Sequence, residues 1–241
     1  MMNMDSRVFD GLDSLSQNAL EELLRVLAYA VAQRGRFAIA LAGGHTPARM
    51  YSLWANDKYR EQTPWEHVHL FWGDERYVAA DDPLSNYRMT RETLIAHVPI
   101  PPGNVHPMPT NFTRPEDAAE AYEIELRKFF GKAPPAFDLQ LLGLGPEGHT
   151  ASLFPDSAAL EEKKRWVAAV QAPAKPSTRL TLTPAVLDRG TNTFFLVAGI
   201  DKREILSALR RETDTGPSQY PAARIRPSGR VLWFVDKAAV E

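Results

Sequence analysis

Four short stretches of this chain place glycine next to residues that could move a proton or hold an anion. They are Gly43-Gly44-His45-Thr46-Pro47, Gly73-Asp74-Glu75-Arg76, the run from Gly143 through Gly145, Pro146, Glu147, Gly148 and His149 to Thr150, and Gly199-Ile200-Asp201-Lys202. In the first, the missing β-carbons let a ligand approach the backbone. The free amides of a following helix favour an anion such as phosphate. The stretch fits neither GxxxxGK[ST] nor GxGxxG, and a plain tight turn is the other reading. The third holds an imidazole whose ordinary pKa, near ~6.5, suits a general base. Glu147, two residues earlier, could orient His149; a helix-capping or surface histidine is the alternative.

The surrounding sequence explains how these stretches could meet. FAIALA (37–42), HVHLFW (67–72), FDLQLLGLG (137–145), TFFLVAG (193–199) and VLWFVD (231–236) are short apolar runs, and the first four lead directly into the glycine-bearing stretches. WVAAVQ (166–171) and RLTLT (179–183) read as further strands. Helical patterns are expected over 14–34, near 86–97, 116–130 and 201–211, and from about Thr46. In the first of these, Leu20, Leu23, Leu24, Leu27 and Val31 make one apolar stripe, Ser14 with Gln17 resembles a capping box, and Gly35 is the stop. Apolar strands alternating with helices predict an α/β fold: a doubly wound, mostly parallel sheet with helices on both faces, in one domain spanning 1–241. Ligands of such sheets bind beyond the carboxyl ends of the strands, where the four stretches fall. The prolines at 99–109, 134–135, 173–176 and 217–227 read as loops.

Composition excludes several classes. The chain has 241 residues, 44% hydrophobic and 24% charged, as a globular protein has. A net charge of −2 gives no global field for nucleic acid or an anionic membrane. There is no cysteine, so disulfides, thiolate nucleophiles and cysteine-ligated metals are excluded. The start, MMNMDSRVFDG, lacks the basic and apolar regions of a signal peptide, and no apolar run approaches ~18 residues. A cytoplasmic protein without membrane or nucleic-acid partners is expected, monomeric with a dimer left open. His67 and His69 alternate on a strand with metal-binding spacing, but no third ligand stands out, and strand packing is the preferred reading. No GxSxG elbow occurs.

AGGHTP (42–47), FWGDERYV (71–78) with SNY (85–87), LLGLGPEGHTASLFP (141–155), RLTLTPAVL (179–187) and VAGIDKREIL (197–206) together resemble the 6-phosphogluconolactonase family, in the same order along the chain. That family is similar in fold to glucosamine-6-phosphate deaminase and ribose-5-phosphate isomerase. The resemblance implies hydrolysis of 6-phospho-D-glucono-1,5-lactone, a sugar-phosphate lactone, without metal or organic cofactor. It implies His149 as general base, phosphate binding by the Gly43-Gly44 loop with Arg179 and Lys202, and Asp74 and Arg76 lining the site. Arg76 would stabilise developing negative charge or contact phosphate. Two positions depart from the family pattern: His45 replaces a small hydroxyl residue, and Glu147 stands where Asp is frequent.

Two other readings compete. An isomerase or deaminase on the same fold resembles GHIAFNEP, with a carboxylate five residues after the histidine, where this chain has Phe154; it also resembles MDEY where this chain has GDER. A non-catalytic sugar-phosphate binder would keep Gly43, Gly44, Arg179 and Lys202 but needs no base.

Overall fold

The computed structural model describes residues 5–212 and 218–241. Among the described residues, ten strands form two sheets. Seven of them make a parallel sheet in the order β1 (Ser6–Phe9), β10 (Arg230–Asp236), β9 (Asn192–Val197), β6 (Leu139–Leu142), β2 (Phe37–Leu41), β3 (Val68–Trp72), β5 (Val105–His106). The other three, β4 (Asp74–Arg76), β8 (Thr178–Leu182) and β7 (Val167–Gln171), make a small antiparallel sheet in that order. Every residue of β2 and β6 is buried, as expected of central parallel strands covered on both faces.

The helices are α1 (Leu12–Arg34), α2 (His45–Trp54), α3 (Asp57–Arg60), α4 (Asn86–Thr93), α5 (Pro115–Phe130), α6 (Pro184–Leu187), α7 (Arg203–Arg211) and α8 (Pro221–Arg224). Adjacent residues of β3 show that both faces are covered. Successive side chains on a strand point to opposite faces. Phe71 meets Phe129 of α5 at 5.0 Å between ring centroids, and Trp72 meets Tyr87 of α4 at 5.6 Å. The doubly wound, mostly parallel expectation therefore holds.

Several local expectations need correction. Strands 166–171 and 179–183 belong to the antiparallel sheet and not to the parallel one, because the chain leaves β3 at Gly73 and turns into β4. Gly73 ties the two sheets, its N–H donating to Leu41 O and its O accepting from Leu182 N, both at 2.8 Å. Helix α1 begins at Leu12, so Ser14 lies inside the first turn, where its hydroxyl accepts from Gly11 N instead of capping with Gln17. Gly35 does end this helix, in the left-handed conformation (φ 68°). Residue His67 closes a 3₁₀ turn (Trp65–His67) ahead of β3, so it does not alternate with His69 along a strand. Within the proline-rich stretches read as loops, Val105–His106 adds an edge strand and Pro221–Arg224 a helical turn. Of the last proline cluster, Pro217 lies outside the described residues, as do residues 1–4 of the N-terminal segment. Among the described residues no helix is long and apolar enough to cross a membrane.

Candidate active site

The strand order fixes where a ligand can sit. From β2 the chain builds outward to β3 and β5, while β6, β9 and β10 build on the other side of β2. The order reverses between β2 and β6, and the crevice beyond the carboxyl ends of such a pair is the natural binding position. A cavity of about 260 Å³ occupies it. Its walls include Gly43, Gly44, Asp74, Arg76, Asn86, Gly145, His149, Arg179 and Lys202. Four separate sequence stretches thus meet in one place, carried there by β2, β3 with β4, β6 and β9.

The first wall is the turn from β2 into α2. Buried Tyr51 of α2 fixes its start, donating to Ala42 O at 2.9 Å and accepting from Ala42 N at 3.1 Å. Gly44 caps the helix, and the amides of His45 and Thr46 begin the first turn, where no intrahelical acceptor exists. The side chains of His45 and Thr46 are not among the cavity walls; this part of the site is backbone.

The second wall is β4. Here Asp74 is 7% exposed and accepts from the Ser152 hydroxyl at 2.6 Å. Beside it, Glu75 is 1% exposed and accepts from Arg76 N, Asn86 N and Tyr87 N, each at 2.7 Å, and from the Ser85 hydroxyl at 3.2 Å. Burial pushes the Glu75 carboxyl up, and the backbone donors partly offset that. The glutamate thus pins the N-terminus of α4 to β4 and points away from the chemistry.

The cations lie opposite. Residues Arg76 and Arg179 face each other as cross-strand partners in the β4–β8 register. Burial first, and then the Arg76 guanidinium, lower the pKa of Arg179, while Asp74, Glu75 and Glu147 pull it back up. Arg179 donates through Nε to Pro176 O at 3.2 Å. Arg76 donates through Nη1 to Leu84 O at 2.7 Å, and its buried Nε has no partner among the described residues. Two adjacent guanidiniums in one cavity, each with donors to spare, make an anion site. Lys202 adds a third cation, with Nζ 2.8 Å from Asp201 Oδ2.

The last wall is the loop after β6. The loop is held at several points: Thr150 Oγ1 donates to Gly143 O at 2.8 Å, Ser152 N donates to Thr181 Oγ1 at 3.2 Å, and Ala222 N donates to Gly148 O at 2.9 Å. The imidazole of His149 folds back over Gly145, where a β-carbon would lie 2.0 Å from Nδ1. Only glycine allows this ring position. The ring rests against Phe154 at 4.4 Å between centroids. Glu147 Oε2 lies 3.0 Å from His149 Nδ1, close enough for charge contact but off the direction of a hydrogen bond. Glu147 itself stands behind the ring and is not a wall of the cavity.

Sequence reasoning missed Asn86, Ser152 and the glycine requirement at 145. Each acts through a partner distant along the chain or through a ring position, so spacing carried no sign of it. Among the described residues no three histidine, aspartate or glutamate side chains converge on a possible metal position.

This combination of parallel sheet, switch-point cavity and glycine-bearing walls matches a known class. The chain belongs to the family described as glucosamine-6-phosphate isomerases/6-phosphogluconolactonase, whose sequence profile matches residues 10–233. Within that family it is 44% identical over 230 residues to 6-phosphogluconolactonase of Synechocystis sp., covering 94% of this chain and 93% of that protein. It is 38% identical over 245 residues to 6-phosphogluconolactonase of Mycobacterium tuberculosis, covering 99% of this chain and 98% of the relative. Among solved structures, 6-phosphogluconolactonase from Trypanosoma brucei superposes with a TM-score of 0.84 at 30% identity, covering 99% of this chain and 98% of the other. A monomeric glucosamine-6-phosphate deaminase superposes at 0.81 with 20% identity, covering 98% of each chain, which shows the shared fold alone.

Proposed function

We propose that this protein hydrolyses 6-phospho-D-glucono-1,5-lactone to 6-phospho-D-gluconate, with His149 as the general base. The observation that carries the reading is the His149 ring at the switch-point cavity, backed by Glu147 and Phe154. A proton on Nδ1, facing Glu147, leaves the Nε2 lone pair for a water molecule. The water attacks the lactone carbonyl carbon as Nε2 takes its proton. Negative charge grows on the carbonyl oxygen, and Arg76 is the donor assigned to it. The tetrahedral intermediate then collapses, the bond from the carbonyl carbon to the ring oxygen breaks, and the imidazolium returns its proton to that oxygen. The 6-phosphate is assigned to the first-turn amides of α2 with Arg179 and Lys202. Nothing in this sequence needs a metal or an organic cofactor.

The same observation weighs against ring-opening isomerisation or deamination. That chemistry moves a proton between carbons and calls for a second carboxylate near the histidine. In this chain the corresponding position is apolar Phe154, packed on the imidazole.

The test is the decay of 6-phosphogluconolactone generated in situ, followed with wild-type protein, with His149→Ala and with neither. Rapid decay with wild type alone is expected, the variant losing about 10²–10⁴-fold in kcat. Equal decay in all three removes the hydrolase reading. Rapid decay with both proteins keeps the activity but moves the base elsewhere, with Asp74 the next candidate.

A further inference from the structure

Asn86 lines the cavity but has no part in the steps above. It opens α4, and it is 2% exposed. Its orientation is determined. The side-chain Nδ2 donates to the main-chain oxygen of Asp74 at 2.9 Å, with Asp74 Oδ1 at 3.5 Å. A carbonyl oxygen can only accept, so the end of the amide facing it must be the nitrogen. The Asn86 backbone N–H is also committed, donating to Glu75 Oε1 at 2.7 Å. The other end of the amide, Oδ1, lies directly over the Gly43 α-carbon, where a β-carbon would stand 1.9 Å away. No donor among the described residues reaches Oδ1.

An acceptor facing a cavity takes its donor from whatever fills that cavity, water or ligand. The cavity around it is rich in donors already aimed at anions: Arg76, Arg179, Lys202 and the turn amides. A polyhydroxylated ring brings hydroxyl protons as well as a phosphate, and those protons need acceptors. Asp74 Oδ2 is occupied by the Ser152 hydroxyl. Asn86 Oδ1 is therefore a free acceptor, fixed in place and uncharged.

We infer that Asn86 accepts a hydrogen bond from one ring hydroxyl of the substrate through Oδ1, and so selects among sugar-phosphate lactones by their hydroxyl pattern. The inference rests on the lactone-hydrolase reading.

The experiment compares kcat/KM for wild type, Asn86→Ala and Asn86→Ser on four substrates. These are 6-phosphogluconolactone and its 2-deoxy, 3-deoxy and 4-deoxy analogues. For one analogue, wild type is expected to be about tenfold slower than with the parent, and each variant is expected to abolish that difference. The variants lower kcat/KM for the parent and barely change it for that analogue. Serine is too short to restore the contact, so Asn86→Ser carries the test if Asn86→Ala does not fold. A purely structural role would lower all four values by a common factor and leave their ratios unchanged, which overturns the inference. Indifference of the wild type to all three deletions overturns it as well. Wild type that turns over none of the four is a different failure, that of the hydrolase reading itself.

Discussion

Two histidines in this molecule make nearly the same contact in different surroundings. His149 Nδ1 lies 3.0 Å from Glu147 Oε2, and His106 Nδ1 lies 3.0 Å from Glu125 Oε1. The surroundings separate them. Histidine 106 stacks on Phe71 at 4.2 Å, faces Phe129 at 5.6 Å, and meets His69 Nδ1 through its other nitrogen at 3.3 Å. Both of its ring nitrogens are engaged, and it packs between the sheet edge and α5. His149 has Glu147 on one side, a cavity on the other, and a position beyond the strand ends at the switch point. A carboxylate at hydrogen-bonding distance is thus common to both rings; the cavity beside the ring is what the base proposed at His149 has and the structural imidazole lacks.

The largest effect that can break this comparison comes from moving one ring without removing it. Gly145→Ala places a methyl where the His149 ring now lies. The ring must swing aside, and kcat is expected to fall by about 10²-fold while the thermal midpoint changes little. Steady-state kinetics alongside a melting curve separates the two. An unchanged kcat would show that the ring position over Gly145 is not the working one.

The matching change on the other side is His106→Ala. It removes a stacked ring and leaves Glu125 and His69 without their shared partner. A destabilisation of about 2–4 kcal/mol is expected with kcat unchanged, measured by urea unfolding and turnover. A fall in kcat with intact stability would put catalytic weight on the wrong histidine.

The contrast also explains what the sequence disclosed. The central parallel strands β2, β3, β6 and β9 were legible because each is a short apolar run leading into glycine, and the four chemically unusual stretches follow them directly; the edge strands β1 and β5 carry no such run. The convergence of Gly43, Asp74, Arg76, His149 and Lys202 then follows from strand ends, while Arg179 comes from β8 of the small sheet and was expected only from the family resemblance. The small sheet was not legible as a separate layer, because antiparallel β7 and β8 look like any apolar strand. What sends the chain there is a pair of backbone bonds at Gly73, and backbone bonds leave no residue signature. The true partner of His69 was hidden for a related reason. Its neighbour in sequence, His67, lies outside the strand, while His106 is 37 residues on, in a two-residue strand inside a proline-rich stretch. Asn86 was hidden the same way: its tie to Asp74 spans 12 residues and depends on which end of the amide faces the cavity.

The smallest effect is a dependence of stability on pH carried by the structural pair. Burial, then the neighbouring His106, Arg36 and His67, push the His69 pKa down to about 4, and burial lowers that of His106 against the pull of Glu125. His106 donates from Nδ1 to Glu125 and accepts at Nε2 from His69 Nδ1, an arrangement that holds only while His106 is neutral, and burial beside that ring keeps His69 neutral as well. A base whose pKa is lower folded than unfolded binds its proton more readily in the unfolded chain. Its contribution to stability is therefore complete above the unfolded value near ~6.5 and is lost as pH falls from there toward about 4. Another acid-sensitive group acts lower. Burial opposes it, but Arg230, Arg25 and Arg7 hold the Glu22 carboxyl below its ordinary value, so its contribution is complete above that ordinary value and is lost as pH falls below it. Carboxyls that burial pushes up, Glu75 and Asp188, are common to wild type and variant, so comparing the two over pH 6.5 down to about 5 isolates the histidine. His69→Gln keeps an N–H to offer His106 and cannot titrate, so its urea midpoint should fall less across that interval than that of the wild type. Equal slopes would mean that the pair is not held neutral by its packing.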